Sequence, residues 1–265
     1  MQNHFKPLSK KSLSKLASSG LPYDTLKQEC DEDVEYCLEL WRSQGLNIIK
    51  KNGLYFFETK FIPIDEGEFC IVDIETNGSK LEKHQIIEIA AVKVKNKQII
   101  DRFESLICCE NINPHITEIT GISVEDTKKA PELKKVLYDF KTFLGESVFV
   151  AHDVKFDYKF ISGSLERIGL LGLMNRPLCS IDLAERTIKS YRYGLKYLNE
   201  YLELHPEATH HRAMSDVITT YKLFTKSLEF LPKEVQTVEE LIQFSKSGKR
   251  LKRPKFDPLK EIEEE

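Results

Sequence analysis

The chain has 265 residues, 41% hydrophobic and 31% charged, with 39 Lys and Arg against 42 Asp and Glu for a net charge of −3. This is the composition of an ordinary globular protein, long enough to bury a sizeable core and carry a small second unit. It excludes a helical membrane span, since no apolar run approaches about 20 residues, and any nucleic-acid binding must come from local patches or cations rather than bulk charge.

Six cysteines (Cys30, Cys37, Cys70, Cys108, Cys109, Cys179) lack Cys-x-x-Cys spacing and any zinc-ligand rhythm, so reduced thiols in a cytoplasm are expected. The basic N-terminus is not followed by an apolar core, so no signal peptide is expected.

Residues 1–65 read as a separate unit. Leu13, Leu16 and Ala17 predict a short helix ending near Gly20, and Val34, Cys37, Leu38 and Trp41 a second helix within 31–43. Two strand-like runs, Leu46–Ile49 and Leu54–Phe57, flank Lys50-Lys51-Asn52-Gly53, and Asn-Gly is a strong hairpin signal. Helices followed by a hairpin with lysines near its tip resemble a small winged-helix domain. Such a unit serves DNA contact, with Lys50 and Lys51 on phosphates, or protein contact. Residues 65–68 form the polar joint that follows.

The main unit, 69–231, opens on Phe69-Cys70-Ile71-Val72-Asp73-Ile74-Glu75-Thr76, a buried strand closed by Asn77-Gly78. Strand-like runs at 86–94 and 99–107 predict an antiparallel meander with it. Helical periodicity at 133–144, 158–168, 195–202 and 213–230 alternates with strand candidates at 148–151 and 178–183. The expected fold is a mixed sheet flanked by helices. Residues 232–265 read as a tail, with one or two helical turns at 238–244, a basic run and an acidic close. The run is either solvated and mobile or a steering patch for nucleic acid.

Asp73 and Glu75 stand two apart on a strand, so they share a face of the sheet. Paired carboxylates in a partly buried setting repel unless something positive lies between them, and a hard divalent cation fits. The alternative is a strand with one solvated acidic edge. The segment Ala151–Asp157 follows a strand and opens a helix, where Asp153 or Asp157 is either a site residue or a first-turn acid. His211-Arg212-Ala213-Met214-Ser215-Asp216 precedes a long apolar helix, so His211 and Asp216 can reach one site. Asp182 lies within the predicted 178–183 strand.

Asp-x-Glu-Thr in a strand, a helix-opening Phe-Asp and then His-Arg-Ala-x-x-Asp, in this order over 69–231, resemble the DEDDh family of 3′–5′ exonucleases. Within it the chain is similar to the proofreading epsilon subunit of bacterial DNA polymerase III. The resemblance implies a ribonuclease-H-like mixed sheet. It maps the metal ligands to Asp73, Glu75, Asp157 and Asp216 and the general base to His211. It also implies nucleotide contacts from Thr76 and from the Thr120-Gly121-Ile122 loop. Ile122 and Phe156 are candidates to stack on or wedge the terminal bases, or are plain core. The family commonly has Asn where this chain has Asp153, which adds a negative charge near the site.

The chemistry implied is hydrolysis with two divalent cations, Mg²⁺ or Mn²⁺, about 3.5–4 Å apart. Asp73 bridges both, Glu75 and Asp216 complete one site, and Asp157 assists. The partner implied is DNA with a free 3′ end, with a DNA polymerase as a further one. The rival expectations are an RNA-trimming exonuclease of the same fold and a non-catalytic DNA- or polymerase-binding module.

Overall fold

The structure, a computed structural model, describes residues 8–209 and 211–261. His210 and, of the acidic close at 261–265, residues 262–265 lie outside the described residues.

The first unit runs α1 (Lys10–Ala17), β1 (Leu21–Pro22), α2 (Tyr23–Gln28), α3 (Val34–Ser43), β2 (Ile48–Lys51) and β3 (Leu54–Phe57). Its strands pair antiparallel in the order β1-β3-β2. Asn52 and Gly53 both adopt positive φ (50° and 80°), the geometry that lets a two-residue loop follow the strand twist. Asp33 caps α3 by accepting from the Glu35 N–H, and Val34, Cys37 and Trp41 form its buried stripe. With Leu16, Leu26 and Phe57 they build a core of their own. Lys50 and Lys51 sit exposed on the hairpin.

The unit is docked on the rest of the chain. The Gln44 carbonyl accepts from the Met174 N–H at 2.9 Å, Lys141 donates to the Gln44 side chain at 2.5 Å, and Arg42 pairs with Glu146 at 2.8 Å.

The main sheet uses β4 (Phe69–Thr76), β5 (Ile86–Lys95), β6 (Gln98–Leu106), β7 (Val148–Ala151) and β8 (Pro177–Cys179), in the order β6-β5-β4-β7-β8. The β4–β5 and β5–β6 pairs are antiparallel, and β4–β7 and β7–β8 are parallel. Helices α4 (Pro114–Thr120), α5 (Val124–Thr127) and α6 (Leu133–Leu144) lie between β6 and β7 in sequence. After them come α7 (Val154–Arg167), α8 (Ser180–Thr187), α9 (Leu195–Leu202), α10 (Ala213–Leu228), α11 (Val238–Ser245) and α12 (Pro258–Glu261).

Alternation along β4 sorts the core. Cys70, Val72 and Ile74 pack with Val136 and Phe140 of α6 and Phe160 of α7. Phe69 and Ile71 face the other way, against Val217 and Phe224 of α10 and Leu241 of α11. Asp73 and Glu75 continue this second row toward the end of the strand where α10 begins.

Three expectations differ from the structure. The strand predicted at 178–183 stops at Cys179, so Asp182 lies in the first turn of α8. This edge strand pairs through only three residues, and Leu183, Ala184 and Thr187 then bury a helical stripe. Helix α7 begins at Val154, four residues before its predicted start, which places Asp157 on the helix. The segment from 232 is not all tail. Thr237 and Glu240 close a capping box, and Val238, Leu241 and Ile242 bury themselves in the core.

Candidate active site

The site forms where β4 ends, beside the C-terminal end of its parallel neighbour β7 and the first turns of α7 and α10, a usual place for ligands in such sheets. Asp73 and Glu75 come from β4, opposite Ala90 and Glu88 of β5. Asp157 enters from α7. Its approach depends on Asp153, which takes φ 78° and ψ 64° at the helix start, a left-handed conformation that Asp and Asn tolerate better than most residues. Either side chain therefore meets the backbone requirement at 153, and only Asp brings a charge.

Asp216 lies buried in the first turn of α10, and its Oδ2 accepts from the His211 N–H at 3.1 Å. His211 is exposed and takes φ 64°. Ligand atoms of Glu75, His211 and Asp216 all lie within 4.8 Å of one another.

Electrostatics ties Asp73 and Asp157 to this group. Burial pushes the Asp73 carboxyl well above the usual carboxylate range, and the charges of Asp157, Glu75 and Asp216 push it further. Burial raises Glu75 to about 8, helped by Asp216 and Glu88 and opposed by Arg212. Burial likewise raises Asp157 to about 8; Asp153 and Glu75 add to it, while the backbone N–H groups of Asp157 and Ile74 offset part. The acids are thus short of positive charge. A divalent cation fits this set, which offers carboxylate oxygens and one imidazole.

Two residues that the sequence did not single out frame the site. Glu88, only 1% exposed, accepts from the Arg212 guanidinium at 2.9 Å and from the Ala213 N–H at 2.9 Å. It therefore pins the start of α10, and with it His211 and Asp216, to β5. A signal for it exists: Glu88 is the lone acid in the apolar run Ile86–Val92. His152 is the second. Burial lowers it to about 4, so the ring is neutral; its Nε2–H donates to the Tyr193 carbonyl at 2.9 Å and Nδ1 accepts from the Ser180 hydroxyl at 2.8 Å.

The remaining predicted contacts fare differently. Thr76 closes β4, partly buried. Thr120 ends α4 and Gly121 caps it at φ 72°. The Ile122 side chain is 2% exposed and packs with Ile87 and Cys109, so in this conformation it is core and offers no face for stacking. Phe156, 38% exposed on the first turn of α7, does offer one.

A cleft of about 470 Å³ opens beside the acids, lined by His211 and Asp216 together with Arg192, Lys196 and Tyr197.

The exonuclease (RNase_T) family pattern matches residues 70–224, which hold all five predicted catalytic residues. The chain is 38% identical over 182 residues to a PolC-type DNA polymerase III of Caldanaerobacter subterraneus subsp. tengcongensis, covering 66% of this chain and 13% of that one. It is 35% identical over 192 residues to the counterpart in Halalkalibacterium halodurans, covering 69% and 13%. The chain thus spans about an eighth of the length of these curated relatives. Among solved structures, exonuclease X in complex with 5′-overhanging duplex DNA superposes with TM-score 0.53 at 23% identity, over 67% of this chain and 99% of that one. A zinc-bound E. coli ExoI–ssDNA complex superposes with TM-score 0.57 at 14% identity, over 63% and 42%. These two likenesses establish the ribonuclease-H-like exonuclease fold.

Proposed function

The chain belongs to the exonuclease (RNase_T) family, and from that premise we propose that it removes nucleoside monophosphates from the 3′ end of DNA. The observation that carries this reading is the convergence of Asp73, Glu75, Asp157 and Asp216 on one strand end, where burial and mutual repulsion raise the carboxyls of Asp73, Glu75 and Asp157. Single-stranded or mispaired ends are the preferred substrates, in proofreading or repair. The kinship to PolC-type polymerase III chains supports work beside a DNA polymerase.

Divalent cations, Mg²⁺ or Mn²⁺, would neutralise the phosphoryl oxygens and acidify water. The four carboxylates would hold them, Asp73 from the centre of the group. His211, exposed at the mouth of the site, takes the proton of the attacking water on an imidazole nitrogen. The water oxygen bonds to phosphorus, the bond from phosphorus to the 3′ oxygen breaks, and that oxygen takes a proton from solvent water as it leaves, while the His211 imidazolium returns its proton to solvent. The products are a 5′-monophosphate and a strand one residue shorter with a free 3′ hydroxyl. Glu88 and Arg212 keep the His211–Asp216 segment in place, and Thr76 and Phe156 border the terminal nucleotide. For residues 1–65, the order helix, strand, two helices and hairpin supports a winged-helix-like accessory unit.

The test is a time course on 5′-labelled DNA with paired and mispaired 3′ ends and on RNA of the same sequence, in Mg²⁺, Mn²⁺ or EDTA. Shortening from the 3′ end is expected, faster on mispaired DNA and absent in EDTA, with His211→Ala slower by about 10²–10⁴-fold. No shortening in either metal would overturn the reading and leave a DNA- or polymerase-binding module.

A further inference from the structure

The basic run after α11 takes no part in the chemistry above, yet it is not loose. Arg250 and Arg253 both pair with Glu185 of α8, at 2.9 and 3.0 Å, and the Leu251 N–H donates to the Glu185 carbonyl at 2.9 Å. Just before them, Arg186 donates to the Ser247 carbonyl. Just after them, Asp257 accepts from the Tyr197 hydroxyl of α9 at 2.5 Å and lies 3.9 Å from Arg192. The Arg253 guanidinium also covers the Tyr193 ring. Residues 247–257 thus form a strap fastened at both ends. Its far fastening, Tyr197 and Arg192, lines the same cleft as His211 and Asp216.

The strap divides its charges by task. Arg250 and Arg253 pair with Glu185. Lys249, Lys252 and Lys255 are exposed and form no ion pair among the described residues. Beside them Phe256 is 73% exposed, the barest large apolar side chain among those described. Unpaired ammonium groups beside a bare aromatic ring match a strand of phosphates carrying bases free to stack. Duplex DNA does not offer those bases. In a protein of net charge −3 whose site is a cluster of acids, such a surface also supplies the local attraction that the bulk charge does not.

We propose that residues 249–256 form a track for single-stranded nucleic acid leading to the active-site cleft, with Lys249, Lys252 and Lys255 on phosphates and Phe256 stacking on a base. This deepens the nuclease reading and rests on it for the direction of the strand, but not for the binding itself.

The test compares the full chain with a Lys249→Gln, Lys252→Gln, Lys255→Gln variant and with Phe256→Ala. Three readouts are used: KM on long and on very short single strands, the salt dependence of each, and hydrolysis of the p-nitrophenyl ester of thymidine 5′-monophosphate. That ester occupies the carboxylate site alone and serves as the internal reference. The expected result is a KM raised about tenfold on long strands, relative to the ester, with a salt slope shallower by about 2 and no change on the shortest strands. Lys→Arg at the three positions restores the long-strand KM. An unchanged long-strand KM alongside unchanged ester hydrolysis would overturn the track and turn attention to a protein partner for this surface. Should the unaltered protein cleave neither ester nor strand, the nuclease reading falls separately. Binding of a fluorescent single strand then decides: weakened binding in the lysine variant upholds the track, and equal binding overturns it.

Discussion

Two regions of this molecule that bury carboxylates treat them in opposite ways. Under the N-terminal unit, Glu239 of α11 is 2% exposed and meets the Arg176 guanidinium through two contacts, at 2.5 and 3.1 Å. Thr59 and Gln243 donate to the same carboxylate, and the guanidinium lies over the Phe57 ring at 4.2 Å. At the strand end, Asp73, Glu75, Asp157 and Asp216 crowd together, and the one cation that lowers Glu75, Arg212, is committed to Glu88. A satisfied buried charge fastens elements together. Acids buried and crowded together are retained at a cost in stability, which a ligand of opposite charge recovers on binding.

The sharpest way to break this contrast is to remove one charge from each region. Asp73→Asn takes away the central acid, and exonuclease turnover is expected to fall by at least about 10³-fold, from about 4 kcal/mol of lost transition-state stabilisation. Thermal unfolding in EDTA should show the same variant folded and no less stable than the unaltered chain. A variant that is both inactive and unfolded would mean that the cluster is structural. Glu239→Ala should do the reverse. Leaving Arg176 buried without its partner costs about 3 kcal/mol, read as a lower denaturation midpoint, while activity per folded molecule is kept.

A third substitution tests the boundary between the two kinds of acid. Glu88 is buried and compensated like Glu239, yet it sits next to the site and holds Arg212 and the Ala213 N–H. Glu88→Gln keeps the shape and weakens both bonds, so the His211–Asp216 segment loosens. Turnover is expected to drop about tenfold, and Glu88→Asp should restore part of it. A positioning role predicts that the loss falls on kcat while KM stays within about twofold. A loss of stability alone, with kcat unchanged, would class Glu88 with Glu239.

Much of this arrangement is legible in the order of the residues. Period-two alternation puts Asp73 and Glu75 on one face, Asn52-Gly53 announces its hairpin, and the His211–Asp216 spacing puts both near the start of a helix. What stays hidden is where local pattern yields to tertiary contact. An apolar run that reads as one strand at 178–183 divides, because an edge strand pairs through three residues and the rest packs better as a helix. Ile122 carries no mark of its surroundings, and only packing with Ile87 shows it to be core. The strap is unreadable for the same reason. A basic run signals solvation until the partners of its segment, Glu185 and Tyr197, are known to lie beside it.

The last prediction probes the cost of burying these acids together directly. Glu75 and Asp157 are both raised from the usual carboxylate range to about 8, with burial as the leading cause. The unfolded chain releases these protons from about pH 4 upward, whereas the folded chain in EDTA keeps them until about pH 8. Their contribution to stability is therefore whole below about pH 4 and is lost as pH rises toward 8. Glu75→Gln cannot ionise and escapes the loss. In EDTA the variant should thus match the unaltered protein near pH 4.5 and exceed it progressively up to pH 8, read as a Tm difference that widens with pH. Saturating Mg²⁺ should close or invert the gap, because the ionised Glu75 then has a cation to meet and Gln offers it less. A difference that stays flat with pH would mean that Glu75 is already ionised and satisfied in the metal-free protein, and the contrast with Glu239 would disappear.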